Sequence, residues 1–237
     1  MLFAGALWAG EPRSQFDRLK SEGRAAIDSE NWVAAEARYL ELLEMSAAVH
    51  PSTSEMYAEI VSPLAQIYKR IDNTEKLENL FQQRLEKSAE GMDRGLSQAD
   101  LGFFYQSSDF ASADQFHGER LIEEAMKTFE QCASNGKEVE QCRHRLADSA
   151  GIQGAIFFQK QEYGRAEPLF RRVLTTPELS AQDEIVLVSL RALSEILVMR
   201  NELSEAKQLE IRAAAFEVAH PDVMARLRRE GNRSRSR

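Results

Sequence analysis

The stretch GAIFFQKQEYGRAEPLFRRVL, Gly154 to Leu174, constrains the fold more than any other part of this chain. Gly154 is small where two helices must come close, and Phe157 follows one turn later on the same face. A polar link, Gln159 to Glu162, interrupts the pattern. Tyr163, Ala166, Phe170 and Val173 then recur at helical spacing and make a second apolar face. The stretch reads as two helices folded back on each other. From the small residue of the first helix to that of the second is 12 residues.

The same spacing returns along the chain. Gly23 to Ala35, Ala65 to Leu77 and Ser194 to Ala206 are each 12 residues. Around them the apolar faces repeat. Phe16, Leu19, Ala26 and Ile27 precede a turn at Asp28 to Asn31, and Trp32, Tyr39, Leu42 and Leu43 follow it. Leu64 and Tyr68 stand before Ile71 to Asn73, and Phe81 after. Leu190, Leu193 and Leu197 pair with Leu203, Leu209 and Ala213. Five units result, over residues 13–50, 53–90, 97–134, 143–176 and 183–220. The third is irregular. Leu101, Gly102 and Tyr105 fit a first helix, but Ala125 and Phe129, which fit the second, begin 23 residues after Gly102. That implies about 11 inserted residues near Gln106 to Arg120, carrying Phe110, Phe116 and His117, which read either as a loop on a binding face or as a longer helix pair or a loop tucked on the scaffold. Pro63 marks a kink or a helix start, and Pro168 requires its helix to start just before it. His50-Pro51 and His220-Pro221 close the first and last units.

Small-x2-aromatic, then Ala-x3-Phe about 12 residues on, resembles the tetratricopeptide repeat, and the AEPLFRR run is similar to its bacterial and kinesin-light-chain-like branch. The resemblance covers roughly residues 15 to 220 and is degenerate unit by unit. Spacings longer than the family's basic 34 fit that extended branch. It implies an all-α, right-handed superhelical solenoid of about five helix-turn-helix pairs, each burying its apolar face against its neighbours. It also implies a non-enzymatic scaffold or adaptor that binds a peptide or helix of a partner protein in a concave groove lined by the first helices. By register, that groove takes Lys20, Arg24, Gln66, Lys69, Phe103, Gln106, Phe158, Arg191 and Glu195. The carboxylate clamp of the family's chaperone-binding subset is not expected. Arg24 stands where it needs Asn, Pro63 where it needs a second Asn, and Asp100 where it needs a cation.

Composition agrees with an all-helical reading. Six Pro and 12 Gly are few for a sandwich or barrel, and no Asn-Gly or Asp-Gly turn links two alternating runs. The net charge of −8 argues against a body that binds nucleic acid through its phosphates. Six Arg against one Glu in residues 226–237 make the tail basic, so contact with RNA through the tail is the alternative function. A helical subunit of an enzyme complex is another. The division expected is an apolar leader over 1–12, a solenoid over 13–222 and a basic, disordered tail over 223–237. MLFAGALWAG resembles the apolar part of a secretory signal but lacks its basic start, which leaves export and the cytoplasm both open. No segment is long enough to span a membrane.

Signatures of catalysis are missing: no GxSxG, no HExxH and no glycine-rich phosphate loop after a strand. No cofactor is expected. Cys142, His144 and His117 match no zinc spacing, so no metal is expected either. Cys132 and Cys142 lie across a turn containing Asn135 and Gly136, and the sequence leaves a disulfide and two packed thiols equally open.

Overall fold

A computed structural model describes residues 11–49, 57–106, 112–135, 138–176 and 184–225. The leader as far as residue 10, Phe110 and the Arg/Ser tail from 226 lie outside them. Among the described residues the fold is all-α, built of helices packed in neighbouring pairs. In chain order these are α1 (Glu11–Asp28), α2 (Trp32–Val49), α3 (Ser62–Arg70), α4 (Thr74–Lys87), α5 (Met92–Tyr105), α6 (Ser112–Asn135), α7 (Val139–Gln159), α8 (Tyr163–Leu174), α9 (Glu184–Met199) and α10 (Leu203–Ala219). None is long and apolar enough to cross a membrane.

One turn geometry sets the pairing. Glu30, Asp72, Gln161 and Asn201 all have positive φ, between 53° and 61°. Each stands seven residues after the small residue of its first helix. The next residue's N–H closes the helix end by donating five residues back: Asn31 to Ala26, Asn73 to Tyr68, Glu162 to Phe157, Glu202 to Leu197, at 2.8–2.9 Å. This is a left-handed helix stop that leads straight into a second helix. The side chains of Asn31 and Asn73 then accept the N–H groups of Ala34 and Lys76 and cap the second helix. The recurrent spacing of 12 is the length of this turn plus the flanking helix ends. None of the four left-handed residues is glycine, so each carries the steric cost of a Cβ there. Gln161→Gly should therefore raise stability by about 0.5–1 kcal/mol, read as a higher urea midpoint with an unchanged slope.

The chain divides into two compact units, Met1–Thr128 and Phe129–Arg237. In the first, Tyr39, Leu42, Ile60, Leu64 and Ile67 form a buried core, continued by Phe81, Leu101 and Leu121. In the second, Phe170, Leu187, Leu190, Leu193 and Ile196 do the same. The small residues work as their spacing requires. A Cβ on Gly23 would meet the Tyr39 ring at 2.9 Å, and one on Gly154 the Phe170 ring at 3.0 Å. Ser194, buried, donates to the Ala206 carbonyl of its partner helix at 3.1 Å. Each contact reaches 12 or 16 residues along, the same helix face in each pair.

The third pair corrects the sequence reading. Gly102 packs not on Ala125 but on Gly118 and Ile122: a Cβ on Gly102 would stand 2.8 Å from the Gly118 carbonyl oxygen and 2.7 Å from Ile122 Cγ1. Gly118 is 16 residues after Gly102, as Tyr39 is after Gly23 and Phe170 after Gly154. The two helices thus keep the ordinary register, with no insertion between them. Phe116 and His117 sit on helix α6 rather than in a loop. Ala125 and Phe129, both fully buried, mimic the motif three turns farther along the same long helix.

The prolines separate into two cases. Pro63 lies at the start of α3, preceded by a π-helical turn, Tyr57–Val61. A helix start is what its missing N–H allows. Pro168, by contrast, lies inside α8, five residues past its first. The carbonyl it leaves without a donor belongs to Gly164. Both residues are exposed, so water can satisfy that oxygen. At the C-terminal end the folded body passes residue 222. Pro221 opens a short helical segment over 221–225, and Val223 is buried in the last pair's core with Met224 against it.

Candidate functional site

The first-helix residues divide by what they already do. In the first unit, Arg24 is exposed on α1 and bonds the Tyr39 hydroxyl, whose pKa is raised by burial and only partly offset by that arginine. Lys20 is half-buried and ion-paired with Glu59. Together they line a shallow open depression on α1 with Asp17, Ser21, Ala25 and Asp28. Gln66 and Lys69 stand exposed on α3. Beneath them Tyr68 is buried and its hydroxyl bonds Glu36. Burial first, and that carboxylate second, push its pKa up to about 12. Phe103 is half-buried. Gln106 is 7% exposed, and neither polar atom of its side chain has a hydrogen-bond partner among the described residues. It packs on Gly118 and is not a groove residue.

In the second unit, Glu195 is exposed on α9. Arg191, also on α9, is tied to Glu217 of α10. Phe158 is a packing residue. Its ring meets Tyr163 at 5.5 Å and Phe170 at 6.3 Å, edge-on in both cases, inside its own pair. Another surface cluster lies on the second helices: Arg171 bridges Glu167 and Glu205, at 2.9 and 2.6 Å. Those two bonds hold the guanidinium well above its ordinary pKa, and Arg171 in turn lowers that of Glu205.

In the insertion proposed for the third unit, Phe116 is 64% exposed and His117 lies 5.5 Å from the Tyr105 ring. Tyr105 itself donates to Glu78 at 2.7 Å and accepts from Gln82 at 2.9 Å. This cluster joins α4, α5 and α6, and its members hold one another. Cys132 and Cys142 are bonded, with Cα atoms 6.0 Å apart. His144 faces the Asp148 carboxylate at 3.2 Å. Among the described residues no three His, Cys, Asp or Glu side chains converge on a metal-sized site.

Sequence reasoning missed one arrangement. Arg84 of α4 and Asp93 of α5 form an ion pair buried in the first unit, each side chain about 6% exposed. Asp93 also accepts the Ala89 N–H at 2.8 Å. Burial lowers the guanidinium pKa to about 10, still far above neutral. Its only sequence signal is a charge at an otherwise apolar helix position, which surface charges imitate.

No protein-family model matches the chain, and no curated protein matches it in sequence. Solved structures do. BtubC (BKLC) from P. vanneervenii is similar over 91% of this chain and 86% of its own, at TM-score 0.68 and 17% identity. The apo quorum sensor NprR from B. thuringiensis is similar over 87% of this chain at TM-score 0.58 and 15% identity. This chain spans about half of NprR, 55% of its length. Identities this low speak for the fold alone. With the recurrent turn, the small-residue contacts at fixed register and these two neighbours together, the chain has the all-α fold of a tetratricopeptide-like repeat solenoid.

Proposed function

We propose that the protein is a non-enzymatic scaffold that binds a peptide or helix of a partner protein along the exposed faces of its first helices. One observation carries the reading. The residue just after the small packing residue is exposed on α1, α3 and α9, as Arg24, Gln66 and Glu195. A face kept out of packing in one register, and bearing a cation, an amide and a carboxylate, suits a ligand with its own backbone and charges to pair.

A photo-crosslinking residue at Gln66 or at Glu195 tests this in cells, against controls at the exposed Gln83 and Lys207 of second helices. Adducts with a partner are expected at the first two positions and not at the controls. Arg24→Glu with Lys69→Glu should then weaken that partner's binding by about tenfold or more. Adducts at the controls alone would place binding elsewhere. Loss of all binding on deleting residues 226–237, with steep salt dependence beforehand, would favour RNA contact by the tail.

A further inference from the structure

The two cysteines lie where the chain departs most from its own repeat. From Gly102 to Gly154 is 52 residues, against 42, 37 and 40 for the other intervals between small residues of first helices. The excess is helix. α6 runs 24 residues and α7 runs 21, the longest of those described. Cys132 lies three residues before the end of α6, and Cys142 three after the start of α7. The bond therefore joins the end of an elongated helical hairpin.

The residues around the cysteines are mostly polar: Glu130, Gln131, Ser134, Glu138, Glu140, Gln141 and Arg143 flank them, while Cys142 is buried and Glu130 pairs with Arg172 of α8 at 2.7 Å. A covalent link adds to those contacts by restricting the unfolded chain. The Cα separation of 6.0 Å needs no movement of either helix end to form the bond. Cys142 is fully buried, which denies a reductant one of the two sulfurs. Nor is this a redox-active pair by sequence. It is not Cys-X-X-Cys, the spacing of thioredoxin-like redox motifs.

We propose that Cys132–Cys142 is a permanent structural cystine, closed during maturation in an oxidising compartment, which staples the α6–α7 hairpin. Formation removes two protons and two electrons from the thiol pair. One thiolate attacks the disulfide of an oxidant of the disulfide-carrier class, the other displaces the mixed disulfide, and the carrier leaves as its dithiol.

The test begins in intact cells of the source organism, quenched in acid, denatured and alkylated before air can act. The full-length protein should take no alkyl group until it is reduced, and two afterwards. Two groups taken directly would overturn the proposal. Cys132→Ala with Cys142→Ala should keep its helical circular dichroism at 25 °C and melt about 5–10 °C lower. Wild-type protein unfolded in reductant, refolded and shown by alkylation to carry two free thiols should reproduce that shift if the variant folds poorly. An unchanged Tm with both thiols free would remove the structural role.

Discussion

Gly102→Ala is expected to destabilise the protein by about 2–3 kcal/mol, against the gain of about 1 kcal/mol that alanine ordinarily brings to a helix interior. The new methyl would stand 2.8 Å from the Gly118 carbonyl oxygen and 3.1 Å from the Ile122 nitrogen. Those are backbone atoms, so no rotamer change relieves the contact, and α5 and α6 must separate. Gly118→Ala should behave alike, since its Cβ would meet the Gly102 carbonyl oxygen at 2.6 Å and Tyr105 Cβ at 2.9 Å. The double variant should cost less than the sum, because one separation serves both. Gly164 is the control. It is helical, exposed and has nothing within 4 Å of a built Cβ, so Gly164→Ala should be neutral or stabilising. Thermal melts give the answer directly: a fall of about 5–10 °C for Gly102→Ala and none for Gly164→Ala. Equal melting of the two would mean that α5 and α6 do not pack through these glycines.

Arg84→Met should cost about 3–5 kcal/mol, because it leaves the Asp93 carboxylate buried without its cation. Asp93→Ala strands the guanidinium in turn and also removes the acceptor of the Ala89 N–H. The informative variant is the pair Arg84→Met with Asp93→Asn. It removes both charges, keeps an acceptor for Ala89, and should recover most of the loss. Urea midpoints of the four proteins close the cycle. A cost below about 1 kcal/mol for Arg84→Met would place the pair among exposed ones, whose worth is that small. The pH dependence has a definite sign. Burial lowers the folded-state pKa of Arg84 to about 10. The unfolded chain therefore holds that proton to higher pH than the folded one, and the desolvation cost eases only as pH rises above that value. Through the neutral range the ion pair contributes no slope from Arg84.

Much of the fold was legible because it is repetitive. A spacing of 12, four times over, from a small residue to Ala or, once, to Leu77 specifies two helices and a turn of one length without naming any residue in the turn. Where the spacing held, the helices stand as expected, from Gly23 with Tyr39 to Gly154 with Phe170. The turns themselves were less legible. Their left-handed residues are Glu30, Asp72, Gln161 and Asn201, and of these only Asp72 and Asn201 are of types that suggest such a conformation. The third unit failed for a related reason. The long helix α6 carries Ala-x3-Phe only at Ala125 and Phe129, and Asp114 and Gly118, which stand at the true positions, hid the real register.

Less of the candidate site could be read. Register predicted which residues follow the small one, and Arg24, Gln66, Lys69 and Glu195 are exposed. Register could not see that Lys20 meets Glu59, that Arg191 meets Glu217, or that Phe158 turns into its own pair. Those outcomes depend on side chains from residues 12 to 39 positions away.

The sequence by itself determined an all-helical repeat, the helix pairs and the faces they bury, because helical periodicity and small-residue spacing are local properties of the chain. Only the tertiary structure decided where α5 meets α6, which charges are buried, and that Cys132 and Cys142 stand within bonding distance. Each of these is a distance between residues on two different helices, and the packing of whole helices sets it.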